Sequence, residues 1–221
     1  MLRDNLALVR ERIRQACERA GREAGSVTLV AVTKGLPVET IREAAALGIT
    51  DVGENRVQEA AAKIAGWSGG ALRWHLIGHL QRNKAKDAVE LFGAIHSVDS
   101  LALADELERQ AAKRDRSLDV FVQVNVSGET TKFGCRPEEA SALAQHLAGQ
   151  PHLRLKGFMT MAPFGADPEL ARPAFRELRL LRDKIQASGL LSMGMSHDFE
   201  VAIEEGADLV RIGTAIFGAR A

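Results

Sequence analysis

Leu29-Val30-Ala31-Val32-Thr33-Lys34-Gly35-Leu36-Pro37 reads as a buried strand that ends on an amine. Residues 27–33 are apolar, rich in β-branched side chains and too few for a helix. Gly35 and Pro37 stop the strand, and Pro37 suits the first turn of a following helix. Lys34 therefore stands at the carboxyl end of a rigid element, within reach of a cleft above a sheet. A lysine is costly to bury as a cation, so burial there lowers its pKa and frees a neutral nucleophile. The plain alternative is a solvated loop lysine.

The same strand-then-helix unit recurs along the whole chain. Strands are predicted at residues 27–33, 49–53, 73–77, 94–98, 118–126, 153–161, 190–195 and 208–212. Helical patterns lie between them, over 38–47, 56–65, 80–92, 99–114, 137–147, 168–187 and 196–205, with a short one opening at Gly213-Thr214. Ahead of the first strand, residues 5–20 carry Leu6, Val9, Ile13 and Cys17 on one helical face. Parallel strands need crossover helices, so strict alternation implies a parallel sheet. Eight repeats suggest α/β architecture closed into a single (β/α)8 barrel with an extra N-terminal helix. An open doubly wound sheet is the competing arrangement. No composition break marks a second domain, so residues 1–221 are read as one.

The chain of 221 residues is long enough for one sizeable core, and its 46% hydrophobic and 26% charged residues are ordinary globular values. Lys plus Arg and Asp plus Glu both number 29, for a formal net charge of zero. That balance argues against a nucleic-acid or anionic-membrane partner, though not against a local pocket for one small anion. Cys17 and Cys135 are far apart, and residues 1–22 lack the apolar core of a signal peptide, so a reducing cytoplasm is expected. No stretch is long and apolar enough to span a membrane.

In a parallel barrel the chemistry collects at the carboxyl ends of the strands. Those ends carry Lys34, Glu54-Asn55, Gly78-His79, Asp99, Asn125, residues 159–161, Ser196 and Arg211 to Thr214. The loops after strands seven and eight are a frequent phosphate site in such barrels. Here Gly194-Met195-Ser196 and Gly213-Thr214 supply hydroxyls, backbone N–H groups and helix starts that favour an anion. Read plainly, Ser196 and Thr214 are N-caps. Arg211, at the end of strand eight, keeps its charge and needs a partner, either a carboxylate such as Glu200 or Glu54 or an acceptor on a ligand. A lysine, a phosphate cradle and an inward arginine together fit pyridoxal 5′-phosphate. An arginine can only donate to the ring nitrogen, so that nitrogen stays unprotonated and carbanion chemistry is poorly supported.

Other groupings carry less. His75 and His79 are four apart, but His75 lies in a strand, where that spacing does not converge, and a core or surface histidine fits better than a metal ligand. Ser196-His197-Asp198 cannot form a catalytic relay as chain neighbours. Lys132, in the loop from Ser127 to Gly134, offers an anion contact or a solvated charge.

The motifs Ala31-Val32-Thr33-Lys34, Gly53-Glu54-Asn55, His75-Leu76-Ile77-Gly78 with Leu80-Gln81 and Asn83-Lys84, Val124-Asn125 with Lys132-Phe133-Gly134, and Gly157-Phe158-Met159-Thr160-Met161 go together. So do Leu191-Ser192-Met193-Gly194-Met195-Ser196 with Asp198-Phe199, and Val210-Arg211-Ile212-Gly213-Thr214-Ala215-Ile216-Phe217-Gly218. Over nearly its whole length the chain resembles the pyridoxal-phosphate homeostasis proteins, related to the barrel domain of alanine racemase. The resemblance implies pyridoxal 5′-phosphate as cofactor, held on Lys34 as an internal aldimine. It implies Ser196, Gly213 and Thr214 at the phosphate, Arg211 at the ring nitrogen and Asn55 near the ring. Thr33 stands where many members have serine.

Two functions follow from that resemblance. One is a non-catalytic protein that buffers or delivers the cofactor inside the cell, with pyridoxal-phosphate-dependent apo-enzymes as recipients and a monomer as the expected state. The alternative is a pyridoxal-phosphate-dependent amino-acid racemase. Racemization needs bases on both faces of a carbanion. In alanine racemase the second base is a tyrosine from another domain, and this chain has no tyrosine. Nothing in the sequence orients His79 or Cys135 for that role, so the carrier is favoured.

Overall fold

The computed structural model describes residues 1–129, 132–163 and 165–219. Eight parallel strands close into one barrel: β1 (Thr28–Val32), β2 (Asp51–Glu54), β3 (Arg73–Leu76), β4 (Ala94–Val98), β5 (Leu118–Gln123), β6 (Leu153–Met159), β7 (Leu190–Met195) and β8 (Leu209–Ile212), with β8 pairing back onto β1. The closed barrel, not the open sheet, is the architecture. Helices α2 (Val38–Ala46), α3 (Val57–Ala65), α4 (Ala85–Leu91), α5 (Leu101–Ala112), α6 (Ala140–Ala148), α7 (Arg172–Ile185) and α8 (Phe199–Glu204) each follow a strand. The extra helix α1 (Leu2–Arg19) packs Leu6, Val9, Ile13 and Cys17 against the rest, and α9 (Thr214–Phe217) follows β8.

Two cores result. The larger lies between the strands and the helices. A smaller one, of Val30, Phe121, Met159 and Leu209, fills the barrel interior. Glu205, just past α8, ties α7 to it: Arg172, Arg176 and Arg179, on one face of α7, donate to its carboxylate at 3.2, 3.0 and 3.1 Å. Burial alone would raise the Glu205 pKa, but the arginines outweigh it and hold it below the usual range. A carboxylate depressed in the fold stabilises it above the unfolded pKa, near 4.5, and that contribution fades as pH falls through the folded value. Glu205→Gln is expected to cost about 2–3 kcal/mol at neutral pH. It should also flatten the acid limb of a denaturation series taken from pH 7 to 3.

Several expected boundaries move, three of them near the site. The helix after β3 starts at Ala85 rather than residue 80, because Gln81 is extended and residues 82–84 form a 3-10 turn. β5 ends at Gln123 rather than residue 126. The returning segment takes over beyond it: Cys135 N–H donates to Gln123 O and Asn125 N–H to Cys135 O, both at 2.9 Å. The helix after β7 begins at Phe199, not Ser196. Asp198 Oδ1 accepts the Met195 N–H at 2.6 Å and closes a turn ahead of it. Phe164, in the loop after β6, lies outside the described residues.

Candidate functional site at the carboxyl mouth

Register brings the sequence-predicted residues to one rim. Ala31 pairs with Ile212 and Val32 with Gly53, so Lys34, Asn55 and Gly213-Thr214 leave neighbouring strands at the same end. Met195 pairs with Arg211, which sets Ser196 beside the start of α9. Ser196 Oγ accepts the Gly213 and Ala215 N–H groups, both at 3.2 Å, and keeps its own hydrogen to donate. Neither Ser196 nor Thr214 is an N-cap: Asp198 and Gly213 hold those positions. Gly194, at φ 95°, has no room for a Cβ, which would lie 2.6 Å from that of Ala202 and 3.0 Å from Phe199 Cα. Gly78 likewise allows the Asn55 backbone close approach, since a Cβ there would sit 2.8 Å from Asn55 Cα.

Lys34 is exposed, which corrects the expectation of a buried amine. β1 stops at Val32, and Gly35 at φ 70° turns the chain outward. What the fold fixes is its backbone. Lys63 of α3, only 8% exposed, donates to Thr33 O at 2.7 Å, to Glu54 Oε1 at 2.7 Å and to Glu59 Oε1 at 2.6 Å. Thr33 Oγ1 also donates to Glu54, and the Gly35 N–H to Glu59. The residues on both sides of Lys34 are thus pinned while its side chain is left to act. Burial pushes the Glu54 carboxyl up, against the pull of Lys63 and Thr33.

Arg211 is 4% exposed and points into the barrel. Its Nη1 donates to Ser192 Oγ at 2.8 Å and its Nη2 to Thr160 O at 2.9 Å. Neither expected carboxylate partner is available: Glu200 pairs with Arg12 and Glu54 with Lys63. Among the described residues no carboxylate forms an ion pair with Arg211. Burial lowers its pKa to about 10, partly offset by the charge of Asp198.

The remaining candidates separate. His75 is buried beside His96, whereas His79 stacks on Phe133 with ring centroids 3.8 Å apart and lies 3.5 Å from Asp99. Lys132 pairs with Glu129 at 2.9 Å. Burial, with the charges of Glu139 and Asp99, pushes the Cys135 thiol up to about 12, so it is no ready base at neutral pH.

The alanine racemase N-terminal domain family matches residues 5–221. The pyridoxal phosphate homeostasis protein of Aquifex aeolicus is 47% identical over 222 residues, spanning 98% of this chain and 97% of that protein. The chain belongs to the pyridoxal phosphate homeostasis protein family. The family's member from Pseudomonas aeruginosa is also 47% identical, over 218 residues, with 98% and 95% of the two chains covered. PipY of Synechococcus elongatus, solved with pyridoxal phosphate bound, aligns with a TM-score of 0.86 at 38% identity, over 99% of this chain and 100% of that one. An alanine racemase from Clostridium difficile shares the fold: TM-score 0.77 at 16% identity, over 99% of this chain and 56% of that enzyme. Among the described residues, no helix is long and apolar enough to cross a membrane.

Within this family member, sequence reading missed the network that holds Lys34 in place. Glu59 and Lys63 are four apart on α3, a spacing that signals a helical ion pair. Nothing in that spacing told that the pair is buried against Glu54 and Thr33. Ser192 and Thr160, the partners of Arg211, sit in the quoted motifs but gave no sign of their role.

Proposed function

We propose that this chain holds pyridoxal 5′-phosphate at the carboxyl mouth, as a lysine aldimine on Lys34, and serves its homeostasis in the cytoplasm as a buffer or donor without robust catalysis of its own. In this reading residues 1–221 are a single binding barrel, a monomer, whose recipients are pyridoxal-phosphate-dependent apo-enzymes. The observation that carries it is Arg211, a buried cation with no carboxylate ion pair among the described residues and with guanidinium N–H groups left over from its two hydrogen bonds. A neutral pyridine nitrogen is the acceptor such a group suits. The phosphate would take the Ser196 hydroxyl, the Gly213 backbone and Thr214 at the start of α9, with Asn55 beside the ring. The bound group supplies an aldehyde that condenses with an amine and a ring that withdraws electrons.

Arg211 keeps that ring nitrogen unprotonated, which blunts its pull on a carbanion. No tyrosine exists to serve as a second base, and the Cys135 thiol stays protonated. Storage therefore fits the site better than racemization. The test is a visible spectrum and an alanine racemization assay on protein incubated with pyridoxal phosphate. A yellow band with no turnover is expected. A colourless protein overturns the binding, and enzymatic turnover of alanine overturns the carrier role.

Arg211→Ala should weaken cofactor binding by about ten- to a hundred-fold, the worth of a hydrogen bond from a charged donor. Its fold should survive, since the substitution removes a buried charge that no carboxylate ion pair holds among the described residues. Equilibrium dialysis, with circular dichroism as the check on folding, reads both.

A further inference from the structure

A column of polar side chains crosses the inside of the barrel, from the mouth opposite the site to Arg211. Asp51, at the amino end of β2, has Oδ1 2.8 Å from His75 Nε2 on β3. His75 Nδ1 is 2.9 Å from His96 Nε2 on β4, and His96 Nδ1 is 2.8 Å from Ser192 Oγ on β7. Ser192 Oγ in turn accepts Arg211 Nη1 at 2.8 Å. His75, His96 and Ser192 are buried. Asp51 keeps 15% of its side-chain surface and borders a cavity of about 310 Å³ at the amino mouth.

With both rings neutral, the carboxylate at one end sets every hydrogen along the column. A carboxylate only accepts, so His75 carries its hydrogen on Nε2 and accepts at Nδ1. His96 then carries its hydrogen on Nε2 and accepts at Nδ1. The Ser192 hydroxyl must point its hydrogen at His96, which turns its lone pairs to Arg211, a group that only donates. The pattern needs neutral rings and an ionised Asp51. Burial, with the charge of Arg211, holds His96 well below its ordinary pKa. Burial works to raise Asp51, but hydrogen bonds from His75 and Thr50 outweigh it and keep it below the usual range.

We propose that Asp51, His75, His96 and Ser192 form a through-barrel positioning relay that fixes how Arg211 presents its remaining N–H groups at the carboxyl mouth. The proposal deepens the reading above and rests on Arg211 meeting the cofactor's ring nitrogen. The reverse tautomers would have His96 donate into Ser192 Oγ, which turns the hydroxyl hydrogen away from the ring and changes the oxygen that Arg211 donates to. Asp51, which faces the opposite mouth, thereby controls the orientation of a residue that touches the cofactor. A purely structural polar core with the same ends would show the same tautomers, so the cofactor affinity and visible band of Asp51→Ala separate a positioning role from a structural one.

The test reads tautomers directly. Two-bond ¹H–¹⁵N correlation spectra of ¹⁵N-histidine protein, without cofactor, should show His75 and His96 wholly as neutral Nε2–H rings. A populated Nδ1–H or cationic form of either ring at neutral pH overturns the relay, whether or not the protein binds any cofactor. In Asp51→Ala, His96 should lose its single tautomer, pyridoxal-phosphate affinity should fall about three- to thirty-fold, and the visible band should shift. Unchanged tautomers in that variant, or changed tautomers with unaltered affinity and band, overturn it as well. Should Asp51→Ala fail to fold, the wild-type tautomers can still overturn the relay. Failure of the wild type to take up cofactor at all would defeat the functional reading instead, a result the tautomer spectra keep separate.

Discussion

Replacing Lys34 by alanine is expected to abolish the yellow absorbance of protein incubated with pyridoxal phosphate and to leave stability within about 0.5 kcal/mol of wild type. The two halves of this expectation have different causes. The absorbance requires a primary amine at the rim, and Lys63, whose amine reaches the carbonyl of the residue before Lys34, is committed to Thr33, Glu54 and Glu59. Stability is untouched because the Lys34 side chain is exposed and makes no hydrogen bond among the described residues. The contacts that hold the segment go through Thr33 and Gly35, which the substitution keeps. Persistence of the band would move the linkage to another lysine. A fall in thermal midpoint of many degrees would show that the side chain is part of the fold.

Gly157→Ala is expected to give the largest loss of stability of any single methyl addition, at least about 3 kcal/mol from overpacking and backbone strain together. Gly157 sits in β6 at φ 153°, paired with Leu190 of β7. A Cβ there would overlap the Leu190 carbonyl oxygen and lie 2.7 Å from its carbon. Backbone, not a flexible side chain, stands in the way, so relief requires β6 and β7 to part. That pair is one seam of a closed barrel, and opening it exposes unpaired N–H and C=O groups. Gly25→Ala is the control: nothing lies within 4 Å of its added methyl. Urea denaturation of both variants checks the contrast, and near-equal midpoints would contradict it.

Much of the architecture was legible because strand and helix patterns alternate with little ambiguity. β4 and β7 begin and end where apolar runs bounded by Gly93, Asp99, Gly189 and Ser196 place them. The boundaries that moved are those set by tertiary hydrogen bonds. Residues 124–126 read as strand, yet the returning Cys135 segment claims them. The helix after β7 read as opening at Ser196, yet Asp198 turns the chain first and leaves Ser196 to gather the amides of α9.

The site divides in the same way. The place of Lys34, Asn55, Arg211, Gly213 and Thr214 at one rim was legible because they stand at strand ends, and position along a strand is a one-dimensional property. The Lys63–Glu54–Glu59 cluster and the Asp51–His75–His96–Ser192 column were not, because their members meet only through sheet register and barrel closure. The supposed burial of Lys34 failed for a related reason. The strand before it is buried, but the turn at Gly35 redirects the chain within two residues.

Borohydride reduction of the cofactor-loaded protein, followed by peptide mass mapping, addresses the linkage itself. A pyridoxyl adduct confined to the peptide that contains Lys34 is predicted. An adduct on Lys63, Lys132 or another lysine in its place, or none at all, would contradict it.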